Sequence, residues 1–71
     1  MSWKKISEHI TIDKSRQAYV NHDLELDCYF IDFFENEIYV ITNRYPGKSI
    51  HYVEDAAENY ISGILHVSKT A

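Results

Sequence analysis

The chain has one cysteine, one proline and two glycines among its 71 residues. A single cysteine rules out an internal disulfide, and Cys28, set among apolar neighbours, reads as buried filler suited to a reducing compartment. Basic residues are scarce too: seven Lys and Arg stand against eleven Asp and Glu, a formal net charge of -4. No Lys or Arg lies between Arg16 and Arg44, a stretch that holds Asp23, Glu25, Asp27, Asp32, Glu35 and Glu37. Such a chain repels a phosphate backbone instead of releasing its counterions, so direct nucleic-acid binding is disfavoured.

Long apolar runs are missing as well. Nothing approaches the length of a membrane span, and Ile6 is followed by Ser7, Glu8 and His9 instead of a signal-peptide core. The expectation is a cytoplasmic protein with no membrane partner.

What is present suits a small globular domain. Hydrophobic residues make up 45% of the chain, too many for an intrinsically disordered one. One domain over 1–71 is expected, with 66–71 as a loose tail. At this size the buried core is small, and self-association or a partner protein is the expected support once disulfides are excluded.

The clearest pattern lies in the middle. Leu24, Leu26, Cys28 and Phe30 share one face of a period-two alternation, and Tyr29, Ile31 and Phe33 make the opposite face apolar too. A strand over 24–34 is expected, paired with a second over 37–43 that is rich in β-branched and aromatic residues. The short Glu35-Asn36 connection makes the two an antiparallel hairpin, with Asn36 suited to a left-handed position. Tyr45-Pro46-Gly47-Lys48 reads as a tight turn and Ser49 as a helix N-cap. From there Ile50, Val53, Ala57, Ile61 and Ile64 recur at helical spacing, predicting a helix over 50–65 that Gly63 could end early. Before the hairpin, residues 2–9 read as a short helix on the spacing of Trp3, Ile6 and Ile10. Ile10 to Ile12 reads as a strand, 13–16 as a turn, 17–21 as a second short strand and 21–23 as another turn.

Packing the hairpin against the helix buries the apolar side of each. The expected fold is therefore α+β: a small antiparallel sheet of three or four strands with one main C-terminal helix on one face. The spare apolar face, carrying Tyr29, Ile31 and Phe33, is expected either to be covered by the N-terminal segment through Trp3 or to form an interface, for which Trp3, Tyr29, Ile31, Phe33 and Tyr39 are the candidate residues.

Catalytic and ligand signatures are weak. His9, His22, His51 and His66 match no compact metal-ligand spacing, and neither metal nor cofactor is expected. Cys28 lacks a base and has an acidic neighbour, and no GxSxG elbow is present. Gly47, Lys48 and Ser49 could hold one anion at a helix start, but the spacing departs from a P-loop, and a turn followed by a cap explains it.

The order of hairpin, Gly47, Ser49, Ala57 and a helix to Leu65 resembles the C-terminal half of a double-stranded-RNA-binding domain. The basic positions of that family would fall on Ile50, His51 and Glu54, so the group that grips phosphate is missing. The same order is similar to HicB-type antitoxins. Both resemblances imply only that such a module often binds a partner.

The functional expectation is a small acidic protein-binding or regulatory module, such as an inhibitor or accessory factor, that binds another protein or itself as a homodimer. One alternative is a nucleic-acid mimic, in which Asp23, Glu25, Asp27, Glu54, Asp55 and Glu58 imitate phosphates toward a DNA-handling protein. The other is a small enzyme, or a subunit completing a shared active site.

Overall fold

The computed structural model describes residues 2–64. Four strands come first: β1 (Trp3–Ile10), β2 (Arg16–Asp23), β3 (Cys28–Glu35) and β4 (Ile38–Tyr45), followed by helix α1 (Ile50–Ile61). The strands form one antiparallel sheet in chain order, β1-β2-β3-β4, with the helix across one face. This is the α+β architecture expected from the sequence. The proposed tail at 66–71 lies outside the described residues.

The β3–β4 hairpin forms where the alternation placed it. Asn36 and Glu37 both have positive φ, 53° and 68°, the two-residue turn whose twist matches that of paired strands. At the end of β4, Gly47 takes φ 76° and the Lys48 N–H donates to the Tyr45 carbonyl (3.3 Å), closing the turn with Pro46 as its first corner. The Ser49 hydroxyl then accepts from the Tyr52 N–H, capping α1. The helix stops after Ile61. Gly63 at φ 84° donates to the Tyr60 carbonyl, and the Ile64 N–H to the Asn59 carbonyl (2.8 Å), so the last carbonyls find partners in a Schellman closure.

Two expectations fail. Residues 3–10 are a strand, not a short helix. Their three apolar residues could not have anchored a helix alone, whereas pairing with β2 satisfies the backbone along the whole segment. Ile6 is the extra residue of a bulge in this pairing, which breaks the strand alternation and mimics helical spacing. Second, 21–23 belong to β2 and 24–27 form the turn. The Asp23 carboxylate accepts from the N–H groups of Glu25 and Leu26 (both 3.0 Å), and Asp27 sits at φ 51°. This Asx-turn chemistry outweighs the apolar alternation of Leu24 and Leu26, which stay exposed.

The core lies between α1 and one sheet face. Ala18 and Val20 of β2, Ile31 and Phe33 of β3, and Val53, Ala57 and Tyr60 of α1 are buried together. Tyr60 packs edge-on against Phe33, and its hydroxyl donates to the Phe34 carbonyl at 2.7 Å, where the pairing with β4 shifts register around Val40. Burial raises the Tyr60 phenol above its ordinary value of 10.0, with a further push from Glu35. The neutral form is therefore the stabilised one: its contribution is complete below pH 10 and is lost as pH climbs through the higher folded-state value. Tyr60→Phe is expected to lower stability by about 1 kcal/mol at neutral pH and to reduce the alkaline loss, measured by urea titration across that range.

Candidate functional site

With α1 over one face, the other face of the sheet has no helix on it among the described residues. Strand register assigns its side chains: Trp3, Lys5 and Glu8 from β1, Gln17, Tyr19, Asn21 and Asp23 from β2, Cys28, Phe30, Asp32 and Phe34 from β3, and Tyr39, Thr42 and Arg44 from β4. Five of these are aromatic. Trp3 meets Phe30 edge-on, and Phe34 stands between Tyr19 and Tyr39 with centroids 5.3 and 5.7 Å away. Trp3 is 52% exposed and Tyr39 47%, so two large aromatic side chains on this face are open to solvent.

The spare face is thus the opposite of the one expected. Ile31 and Phe33 have no exposure, and Tyr29 is partly buried against the same core, so these three support the helix and do not form a free surface. Trp3 does cover a sheet face, but it is the one carrying Phe30. Tyr39 lies on that same free face.

Charge on this face is organised in pairs around one exception. Lys5 pairs with Glu8, and its ammonium lies 5.5 Å from the Tyr19 ring centroid. Arg44 donates to Asp23 at 3.0 Å while its guanidinium lies 5.1 Å over the Phe30 ring. Asp32, in the middle of β3, has no cationic partner within ion-pair distance among the described residues. Its carboxylate is held instead by neutral donors: the Thr42 hydroxyl at 2.5 Å and the Asn21 amide at 3.4 Å. Thr42 in turn accepts from the Tyr39 hydroxyl (2.8 Å), because its own proton is given to Asp32. Two adjoining concavities share Trp3 and Asp32, one of about 530 Å³ beside Phe30 and Arg44, the other of about 470 Å³ beside Tyr19 and Phe34. A third, of about 360 Å³, lies between β4 and α1 along Tyr45, Tyr52 and Asn59.

The acidic residues proposed as a phosphate mimic do not form one array. Asp23 lies on the free face and pairs with Arg44, and Asp27 pairs with His22 at 3.1 Å. Glu54 and Glu58 project from α1 toward β1, where their carboxylates lie 2.7 and 2.8 Å from the two ring nitrogens of His9. Glu25 is exposed in the β2–β3 turn and Asp55 is exposed on the helix. The Leu26 N–H and the Arg44 guanidinium hold the Asp23 carboxyl below its usual range, and the Ser15 N–H and hydroxyl do the same for Asp13. These depressed values contribute stability above about pH 4 that is lost as pH falls through the lower folded-state values. Asp23→Asn is expected to flatten the fall in urea midpoint between roughly pH 5 and pH 2. An unchanged slope would place the acid sensitivity elsewhere.

The proposed anion site resolves into turn and cap. Gly47 shapes the turn, the Ser49 hydroxyl is occupied by the Tyr52 N–H, and the Lys48 ammonium lies 4.9 Å over the Tyr52 ring.

One cluster has the composition of a nucleophilic triad. Ser7 Oγ lies 3.3 Å from His9 Nε2, and His9 Nδ1 lies 2.8 Å from a Glu58 oxygen. Glu54 alters its chemistry: one of its oxygens accepts a hydrogen bond from the Ser7 hydroxyl at 2.7 Å, and the other sits 2.7 Å from Nε2. Glu54 thus engages both the Ser7 hydroxyl and the ring nitrogen that faces it, so the serine and the histidine are each held by a carboxylate instead of by one another. The cluster pins β1 to α1. No group of three or more His, Cys, Asp or Glu side chains is placed to hold a metal among the described residues, and no helix among them is long and apolar enough to cross a membrane. Cys28 is a buried free thiol.

The fold and this surface define a small α+β domain, a four-stranded antiparallel meander with one helix on one face and an aromatic, carboxylate-centred opposite face. No protein-family model, curated protein or solved structure matches the chain. The resemblances in the hairpin-to-helix order therefore extend no further than that order.

Proposed function

We propose that this chain is a small protein-binding module that docks a partner through the helix-free face of its sheet. The observation that carries the reading is the exposure of Trp3 and Tyr39 beside Phe30 and Phe34 on a surface that already contains concavities. Aromatic side chains of this kind supply large contact area at low entropic cost and anchor most interface hot spots. The chemistry needed for a catalytic role is weaker, because Glu54 holds both the serine and the histidine of the Ser7–His9–Glu58 cluster.

A different protein fits this face better than a second copy. A second copy would bring together two chains that each carry a net charge of -4, and a two-fold axis passing at Asp32 would set that carboxylate against its own image. The test is affinity capture from native-host lysate with three baits: wild type, the double variant Trp3→Ala/Tyr39→Ala, and His51→Ala on the exposed side of α1. The reading expects a stoichiometric protein held by wild type and His51→Ala and lost from the double variant. Equal retention by all three baits, or recovery of the bait alone, contradicts it.

A further inference from the structure

We infer that the partner presents an arginine side chain to Asp32, which the helix-free face receives between its carboxylate and the surrounding rings. This rests on the reading of that face as a protein-binding surface and specifies its chemistry. The face contains the recognition mode already. Arg44 lies over the Phe30 ring, 5.1 Å from its centroid, while donating to Asp23 at 3.0 Å, so one guanidinium is held by a ring and a carboxylate together. Asp32 offers the same two components a second time, beside Phe34 and Trp3; Lys5 lines the same concavity, but it is paired with Glu8 and lies over the Tyr19 ring, and no cation of the described chain is in ion-pair contact with Asp32.

Three features fit a guanidinium. The adjoining concavity of about 470 Å³ leaves ample room for the group and its stem. The relay from Tyr39 through Thr42, with the Asn21 amide on the other oxygen, fixes the carboxylate in one orientation before any partner arrives. A carboxylate has about four acceptor positions, and these two donors leave capacity for an incoming fork of N–H groups. Arginine suits the site better than lysine because its planar group can stack on a ring while bonding the carboxylate in bidentate fashion. An aspartate is also costly in a central strand, where its type is depleted, and nothing in the sheet pairing requires one between Tyr19 and Thr42.

The test selects binders from a displayed random peptide library against the full chain, then measures the selected peptides against variants. Enrichment of arginine at one fixed position is expected. Binding should fall at least tenfold with Asp32→Asn, which keeps the side-chain size and an acceptor for Thr42, and by a similar factor when the peptide arginine becomes citrulline. Unchanged thermal midpoints would show that the variants remain folded. Peptides that lose affinity on Trp3→Ala but not on Asp32→Asn or citrulline substitution overturn the arginine inference and leave the face intact. Peptides indifferent to Trp3→Ala and Phe34→Ala overturn both, and a selection without arginine-bearing binders overturns the inference.

Discussion

Phe33→Ala is expected to remove a large share of the domain's stability and lower its thermal midpoint by at least about 12 °C. Phe33 has no exposure and touches both layers of the core, from Ile31 and Ile41 in the sheet to Tyr60 in the helix. Truncating a phenylalanine in such a place costs about 3–5 kcal/mol through lost burial and the cavity left behind. Native domains hold only roughly 0.05–0.15 kcal/mol per residue, so the loss consumes much of what a 71-residue chain has. By circular dichroism, the thermal midpoint should fall by at least about 12 °C or the transition should vanish. A shift of only a few degrees would mean that the helix does not cover this face. Any charge placed at Phe33 would disturb the core first, so loss of association in such a variant would say nothing about an interface.

The double variant Trp3→Ala/Tyr39→Ala should behave in the opposite way. Both side chains are about half exposed, so stability should change by only about 1–2 kcal/mol, chiefly from the Trp3–Phe30 and Tyr39–Phe34 ring contacts. Partner affinity should drop far more. Buried aromatic anchors at the centre of an interface cost about 2 kcal/mol or more each when truncated, so two of them predict a loss of roughly a hundredfold or greater. Isothermal titration with the captured partner, paired with a thermal melt, separates the two effects. Affinity that falls only in proportion to stability would make both residues structural.

The contrast between these variants depends on which face α1 covers, and that was the feature least legible in the sequence. β3 is apolar on both sides: Tyr29, Ile31 and Phe33 on one, Cys28, Phe30 and Phe34 on the other. Period-two reasoning cannot choose between them. The choice is made by β2, whose small Ala18 and Val20 leave room for a helix, whereas Gln17, Tyr19 and Asn21 on the other side are bulky or polar. That signal was available, but it needed β2 to be recognised through Asp23 and paired in register. The hairpin turn at Asn36, the Ser49 cap and the stop near Gly63 were legible because each depends on local chemistry.

Trp3 and Tyr39 were legible as interface candidates, but the carboxylate between them was missed for a related reason. Asp32 is a single carboxylate inside the run from Cys28 to Phe34, a local anomaly that a list of acidic residues hides. Its partners Asn21 and Thr42 lie on two other strands, and Trp3 reaches the site only because residues 3–10 form a strand. Spatial neighbours contributed by all four strands leave no spacing motif in the sequence. A polar residue interrupting an apolar strand is the signal that could have drawn attention to Asp32.

The most direct test of the account is hydroxyl-radical footprinting of the chain, free and bound to the partner it captures, read at aromatic side chains. Trp3 is the only tryptophan and Tyr39 is a half-exposed tyrosine on the helix-free face, while Tyr52 is equally open on α1. Strong protection of Trp3 and Tyr39 is expected, with Tyr52 unchanged. Protection of Tyr52 with Trp3 and Tyr39 still reactive would put the partner on the helix side and contradict it.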